Sequence, residues 1–419
     1  MREAFLVAAA RTPIGKAPNG KLRTVRPDDL AAVAIKGALA RVPQLSAEQI
    51  DDVILGCAMP EGAQGMNIAR IACQRAGLPD TVPGVTVNRF CASGLEAIAM
   101  AAQRILSGMA DVIVAGGTES MSQVPMGGFK MSPNPCLVDH LPDAYLAMGL
   151  TAENVAAKFG VSRQDADVFA CESHQKALAA LDAGRFKAEC VSVPVREVTL
   201  DGNGMRQVNE FTFEVDEGPR RDTSLEKLAS LKPAFNPKGS VTAGNASQRS
   251  DGAAAVVVMS GEMVQQLGLK PLARFVTYAV AGVPPGIMGI GPVQAIPKAL
   301  RQAGLKIEDM DLIELNEAFA CQALSVIRQC PLPPDRINVN GGAVALGHPL
   351  GATGAMETAI CAMALDESYI PPTIHYRLLD PACDLDIVPN EGRSQKLCCA
   401  MNNAFGFGGI NASLVMRKL

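Results

Sequence analysis

Two stretches of the chain echo each other at a nearly fixed separation. "AEQIDDVILGCA" (47–58) resembles "KIEDMDLIELNEA" (306–318), and "VTVNRFCASGLEA" (85–97) resembles "INVNGGAVALGHPLGATGA" (337–355). The offset is 259 from Asp52 to Asp311 and 252 from Val87 to Val339. Similar elements in the same order at nearly the same offset predict a duplicated α/β unit. Within it, Val/Ile-rich runs such as "DVIVAGGTES" (111–120) and "AAAVVVMS" (253–260) have the length of buried strands. Ala-rich stretches such as "LEAIAMAAQRILSGM" carry a helical period. Strands alternating with helices place helices on both faces of the sheets.

The middle, about 120–250, breaks this pattern. It holds Met/Pro/Gly clusters, a helical stretch, and "VREVTLDGNGMRQVNEFTFEV", two alternating runs around an Asp-Gly-Asn-Gly turn that predicts a hairpin. We read it as a long insertion on the first half, of the kind that serves binding.

Net charge is −4 with a pI near 5.7, which argues against a nucleic-acid-binding surface, although "GPRRD" (218–222) can hold a phosphate. Twelve cysteines form no CxxC or Cys/His ligand cluster, so they read as reduced thiols of a cytoplasmic protein with no metal site. The start "MREAFLVAAARTPIGK" reads as a first strand rather than a signal peptide. No apolar run reaches the ~18–20 residues that span a bilayer.

Three segments can carry chemistry. Cys91 sits where "VTV" gives way to the helix-forming "SGLEAIAMAAQRI". Amide N–H groups at a helix start favour thiolate over thiol, so Cys91 is either a nucleophile or simply a buried cysteine. His348 lies in "NVNGGAVALGHPLGATGA", either as the base for a thiol or as a turn histidine; His140, His174 and His375 have ordinary polar or helical surroundings. Asn316 and Glu317 are expected at the carboxyl end of a strand, where an Asn amide can hold a water or an oxyanion, although Asn-Glu also starts helices routinely.

Taken together, "NRFCASGLEAI", "MGLTAENVA" (148–156), "TAGNASQRSDGAAAVV" (242–257), "GVPPGIMGIGP" (282–292), "NEAFA" and "NVNGGAVALGHPLGATGA" stand in the order found in thiolases. The chain resembles that family from residue 1 to about 362, and more the degradative 3-ketoacyl-CoA type than the acetoacetyl-CoA type. The resemblance implies a five-layered αβαβα fold of two duplicated halves, 1–268 and 269–419, with an inserted loop domain at about 120–250. It implies acyl chemistry on coenzyme A without a further cofactor. By match, Cys91 is the acylated nucleophile, His348 its base and Asn316 the holder of an oxyanion-site water. Arg220, Ser247 and Met288 are CoA-contacting positions. The family also implies a homodimer or homotetramer, with "DTVPGVTVNRF" as the pairing edge.

The last segment departs. From about 365 to 419, "IPPT", "DPACDLDIVPNE" and "NAFGFGGINA" resemble the end of β-ketoacyl-ACP synthases. A thiolase closes on a Cys-x-Gly-x-Gly loop; alignment through Gly408-Gly409 puts Phe405 at that cysteine and the Phe407 N–H at an oxyanion-hole position, with both rings gating the acyl pocket. Cys398 and Cys399 lie upstream and do not fill the gap. The leading expectation is an acyltransferase on acyl-CoA thioesters, by 3-ketoacyl-CoA thiolysis or Claisen condensation. The alternatives are a decarboxylative ketosynthase-like enzyme using malonyl or acyl-carrier-protein substrates, and an impaired thiolase fold serving as a binding subunit.

Overall fold

The structure, a computed structural model, describes residues 2–367 and 397–419, together with the backbone of the short strands Tyr369–Ile370 and Arg393–Ser394. The "DPACDLDIVPNE" stretch, His375 and all of "IPPT" but the Ile370 backbone lie outside the described residues.

The Val/Ile runs form strands as expected. In chain order they are β1 (Ala4–Arg11), β2 (Asp52–Gly56), β3 (Gly84–Val87), β4 (Val112–Ser120), β5 (Val193–Leu200), β6 (Arg206–Phe213), β7 (Ser250–Ser260), β8 (Ala273–Gly282), β9 (Leu312–Leu315), β10 (Cys399–Gly406) and β11 (Ile410–Arg417). Nine of them lie in the order β9-β10-β11-β8-β1-β7-β4-β2-β3, and the two-residue strand Gly15–Lys16 also pairs with β7. The sheet is two sets of strands joined at its middle by a short antiparallel register, Phe5–Arg274 and Leu6–Ala273.

The sets repeat each other. In the first, β2 runs parallel to β4, which is antiparallel to β7, which is antiparallel to β1. In the second, β9 runs parallel to β10, which is antiparallel to β11, which is antiparallel to β8. Even the edge strand β3, parallel to β2, has a counterpart in a parallel bridge between Ile337 and Ile313 of β9. The sequence echoes fall on these equivalent elements.

Successive side chains of each strand face opposite layers. Val112 and Val114 of β4 pack with Leu30 and Ile35 of α1 (Pro27–Leu39), whereas Ile113 and Ala115 pack with Leu95 and Ile98 of α2 (Ser93–Leu106). On the second set, Leu414 and Met416 face the same central core, while Val415 joins Ile296 and Val326 of the outer helices Pro292–Ala303 and Ala320–Gln329. Three apolar cores around two sets of strands give the five αβαβα layers.

The middle layer consists of α2 and α3 (Leu350–Glu367), which touch backbone to backbone. A Cβ on Gly94 would lie 2.7 Å from the Ala355 N, and one on Gly354 would lie 2.8 Å from the Leu95 N. Small residues at that crossing bring together the starts of both helices, and with them Cys91 and His348.

Residues 121–249 leave the sheet between the neighbouring strands β4 and β7, and include the β5–β6 hairpin at the expected turn. Buried Arg11 of β1 ties this excursion down. Its guanidinium donates to Glu189 at 2.7 Å and to both carboxylate oxygens of Asp216 at 2.8 and 2.9 Å.

Candidate active site

Cys91 follows the edge strand β3 in a tight turn ahead of α2. Asn88 Oδ1 accepts the Phe90 N–H at 2.7 Å, and Ser93 Oγ accepts the Arg89 N–H at 2.8 Å. Phe90 takes φ of 48°, a left-handed conformation that a bulky side chain rarely adopts. The C-terminal loop presses on this turn. A Cβ on Gly406 would come within 2.9 Å of Phe90 Cβ and 3.3 Å of the Cys91 N, and the Phe90 and Phe407 ring centres lie 5.1 Å apart.

The expectation that the helix start favours the Cys91 thiolate is corrected. Burial pushes its pKa up, the nearby Glu119 charge pushes the same way, and the backbone hydrogen bond at the turn is too weak to offset them. Cys91 is 7% exposed, and its resting form is the neutral thiol.

His348 precedes α3 and is held through its backbone, whose N–H donates to Ser250 Oγ at 3.0 Å. Its Nδ1 lies 2.8 Å from Thr353 Oγ1 and 3.3 Å from Asn316 Nδ2, while its Nε2 has no partner. Burial lowers its pKa to about 4, so the imidazole is neutral and can accept a proton. Asn316 follows β9 as expected, but one layer behind the cavity wall. Its Nδ2 donates to Glu357 Oε1 at 2.8 Å, and its Oδ1 has no protein partner. Glu317 donates no chemistry to the cavity; its carboxylate accepts from Ser173, Asn338 and the Val344 N–H.

Cys91 and His348 open on one cavity of about 1240 Å³, which Phe405, Phe407, Met288, Arg220 and Ser247 also line. Phe405 is buried against Met288 and Phe319, and Phe407 is half-buried beside Cys91. Four cations, Lys16, Lys130, Arg220 and Arg249, line the same cavity, and none of them is in an ion pair among the described residues. Its two carboxylates are occupied elsewhere. Glu61 accepts the Phe129 N–H, and Glu217 accepts those of Lys16 and Lys21. This wall suits a ligand with an apolar acyl end and several phosphates.

Sequence reasoning missed three supporting residues. His174 lies on a helix, as expected, but it is buried and its Nδ1 accepts the Arg220 N–H at 3.2 Å. Burial, then the Arg220 and Lys16 charges, lower its pKa to about 4, which keeps that nitrogen an acceptor. Thr353 and Glu357 lie one turn apart on α3. Glu357 had a readable signal, since it is the one charged residue between Pro349 and Leu365. Cys398 and Cys399 take part in neither wall; their N–H groups donate to Asp311, and Cys91 is the only cysteine lining the cavity among the described residues.

Comparison with known families matches the thiolase N-terminal domain over residues 4–262 and the thiolase C-terminal domain over 269–370. A 3-ketoacyl-CoA thiolase of Bacillus subtilis is 53% identical over 358 residues, 85% of this chain and 91% of the relative. An acetyl-CoA acetyltransferase of Chromobacterium violaceum is 48% identical, over 84% of this chain and 90% of its own length. Among solved structures, the acetyl-CoA acetyltransferase of Bacillus anthracis superposes with a TM-score of 0.85 at 38% identity, and human mitochondrial 3-ketoacyl-CoA thiolase with 0.83 at 38%; each comparison covers 100% of this chain and 99% of the other.

Proposed function

This chain belongs to the thiolase family, and from that membership we propose that it transfers acyl groups from CoA thioesters through an acyl-cysteine at Cys91. The observation that carries the reading is that Cys91 and His348, whose Nε2 is unpartnered, open on one cation-lined cavity. The Cys91 sulfur attacks the acyl carbonyl while its proton passes to His348 Nε2. As the tetrahedral intermediate collapses, the leaving group takes that proton. Asn316 Oδ1 accepts a hydrogen from a water whose other hydrogen faces the oxyanion, and the Phe407 N–H is the second donor. Arg220, helped by Lys16 and the other wall cations, holds the CoA phosphates, and Ser247 and Met288 flank the pantetheine arm.

Release of the acyl group in 3-ketoacyl-CoA thiolysis or Claisen condensation completes the cycle. The absence of a second thiol on the described cavity wall favours one further reading, decarboxylative condensation with a malonyl donor on CoA or a carrier protein, in which loss of CO₂ supplies the carbanion without proton abstraction. An inert binding subunit is disfavoured by the open thiol–imidazole pair. We further propose that 1–268 and 269–419 act as the two halves, that the half-exposed edge β3 pairs subunits into a homodimer or homotetramer, and that the protein works in the cytoplasm, in keeping with free cysteines and no disulfide among the described residues. No described helix is long and apolar enough to cross a membrane.

The test is intact-protein and peptide mass spectrometry after incubation with acyl-CoA and acyl-carrier-protein donors, followed by assays of 3-ketoacyl-CoA thiolysis and malonyl decarboxylation. Acylation at Cys91 is expected; acylation at another cysteine, or none with any donor, overturns the reading.

A further inference from the structure

Within the cationic wall of the cavity, Arg249 stands next to the base. It lies just ahead of β7, in a run of chain that crosses from the wall taken for the pantetheine arm to His348. At one end of that run Ala246 makes an antiparallel bridge to Phe319, and the Ser247 N–H donates to the Ala318 carbonyl at 2.9 Å. At the other end Arg249 makes a parallel bridge to His348, whose N–H donates to the Gln248 carbonyl at 3.2 Å and to Ser250 Oγ at 3.0 Å. The residues on either side of Arg249 thus hold the base in place. Across the chain, the Ala17 N–H donates to the Arg249 carbonyl at 2.9 Å, which continues the pairing of Lys16 with Ser250. Ala17 packs on the apolar group that surrounds Cys91, with Met59, Met121 and Leu350.

Side chains alternate along paired strands, so Arg249 shares a face with Ala17, and Lys16 shares the opposite one with Ser250. Lys16 belongs instead with Arg220. Burial, and next the Arg220 charge, lower the Lys16 pKa. Arg249 is exposed, and its guanidinium takes part in no ion pair or hydrogen bond among the described residues. The CoA phosphates lie a whole pantetheine arm away from the thioester, where Arg220 and Lys16 can meet them. A different anion suits a cation beside the base: a carboxylate on the acyl group itself. Such a carboxylate entering the apolar surroundings of Cys91 unpaired would lose its hydration without compensation. A guanidinium meets it with two parallel, charge-assisted hydrogen bonds.

We propose that Arg249 is a specificity residue: it pairs with a carboxylate at the far end of the acyl group, so that the half-thioesters of dicarboxylic acids are preferred over plain fatty acyl groups of the same length. The inference deepens the acyl-transfer reading above and rests on it. The reaction at the thioester is unchanged. The Cys91 Sγ–acyl bond forms, the acyl bond to the CoA sulfur breaks, and the thiol proton passes through His348 to the leaving CoA.

The experiment compares adipyl-CoA with hexanoyl-CoA, which match in chain length and differ in the terminal carboxylate. Cys91 acylation is followed in rapid-quench time courses by intact-protein mass spectrometry, with wild type, Arg249→Met and Arg249→Lys, and Cys91→Ala as the blank. Malonyl-CoA decarboxylation is measured in the same proteins, because a malonyl donor also carries a carboxylate. Wild type is expected to use adipyl-CoA at least as well as hexanoyl-CoA, by rate over half-saturating concentration. Arg249→Met keeps the apolar bulk and loses the charge. It is expected to lower the adipyl-to-hexanoyl ratio about 10–100-fold, the worth of a hydrogen bond to a charged group. Arg249→Lys keeps the charge without the planar fork and is expected to lie between. A fall by the same factor with both donors overturns the inference and makes Arg249 one of the phosphate cations. A wild type that prefers hexanoyl-CoA overturns it too. So does an unchanged ratio with only malonyl decarboxylation lost, which would assign the guanidinium to the second donor. Failure of wild type to acylate Cys91 with any donor instead overturns the functional reading beneath it.

Discussion

The hydroxyl of Thr353, in the first turn of α3, lies 2.8 Å from Nδ1 of His348, five residues before it. A neutral imidazole has one N–H; for Nε2 to take the Cys91 proton it must sit on Nδ1, where the Thr353 hydroxyl is within reach to accept it. Thr353→Val preserves shape and removes that acceptor. Acylation of Cys91 is expected to fall about 10–100-fold, as for other residues that orient a functional imidazole, with little change in the half-saturating acyl-CoA concentration. Equal rates for the two proteins in rapid-quench assays would remove Thr353 from the account.

The charge states of the pair lead to a second expectation. Burial raises the Cys91 pKa and lowers that of His348 to about 4, so thiol and imidazole are both neutral at rest. Protonation of His348, which removes the base, begins only as pH falls toward 4. The acylation rate should therefore stay level between about pH 5.5 and 7.5, without the acid limb that an ordinary histidine near 6.5 imposes. A fall centred near 6.5 would show that His348 is better solvated, or differently partnered, than its surroundings indicate.

The fold was largely legible because its two signals are local. Valine and isoleucine runs of strand length recur in matched order, and the structure shifts the echo by one residue: Asp51 and Asp311, just ahead of β2 and β9, are the equivalent pair, each carboxylate accepting the two N–H groups that lead into the neighbouring parallel strand. Cys91 and His348 were legible for the same reason, since each sits at a junction of strand or glycine-rich turn with a helix. The ionisation of Cys91 was not. A helix start can be read from sequence, whereas burial and the Glu119 charge arise from packing between segments distant in the chain. His174 was set aside, and Thr353 and Glu357 passed over, because what they do depends on which neighbour they meet. His174 looks like any helix-face histidine until Arg220 is folded against it.

Arg11 tests how the cavity's cationic wall is held. It is fully buried, and its guanidinium is the partner of both Glu189 and Asp216, four residues before Arg220. Arg11→Met fills the space but leaves two buried carboxylates without a cation. Removing one member of a buried ion pair costs about 3–5 kcal/mol, and a loss of that order is expected in urea unfolding. Adding Asp216→Asn should recover part of it by removing one orphaned charge. A loss below about 1 kcal/mol (the scale of an exposed pair) would mean that water reaches the cluster.

We propose, from the alignment through Gly408-Gly409, that Phe405 takes the place of the family's second cysteine; on that reading it separates the two half-reactions. A phenyl ring cannot shuttle a proton, whereas acylation needs only Cys91, His348 and the oxyanion donors. Phe405→Cys is therefore expected to raise thiolysis of a 3-ketoacyl-CoA ten-fold or more while Cys91 acylation stays nearly constant, within the ~10²–10⁴ that a positioned acid or base contributes. The structure adds a cost. Phe405 is 1% exposed and packs on Met288, Ala318 and Phe319, so the smaller side chain leaves a cavity. Truncations of this kind lose about 3–5 kcal/mol, so thiolysis should be assayed well below the variant's melting temperature and normalised to the fraction of Cys91 that acylates. Two results count against the idea. Wild-type thiolysis at ordinary enzyme rates of about 1–10³ s⁻¹ would show that another group already moves the proton. Acylation abolished in a folded Phe405→Cys protein would show that this ring shapes the first half-reaction, through its wall against Met288, rather than standing in for the second acid.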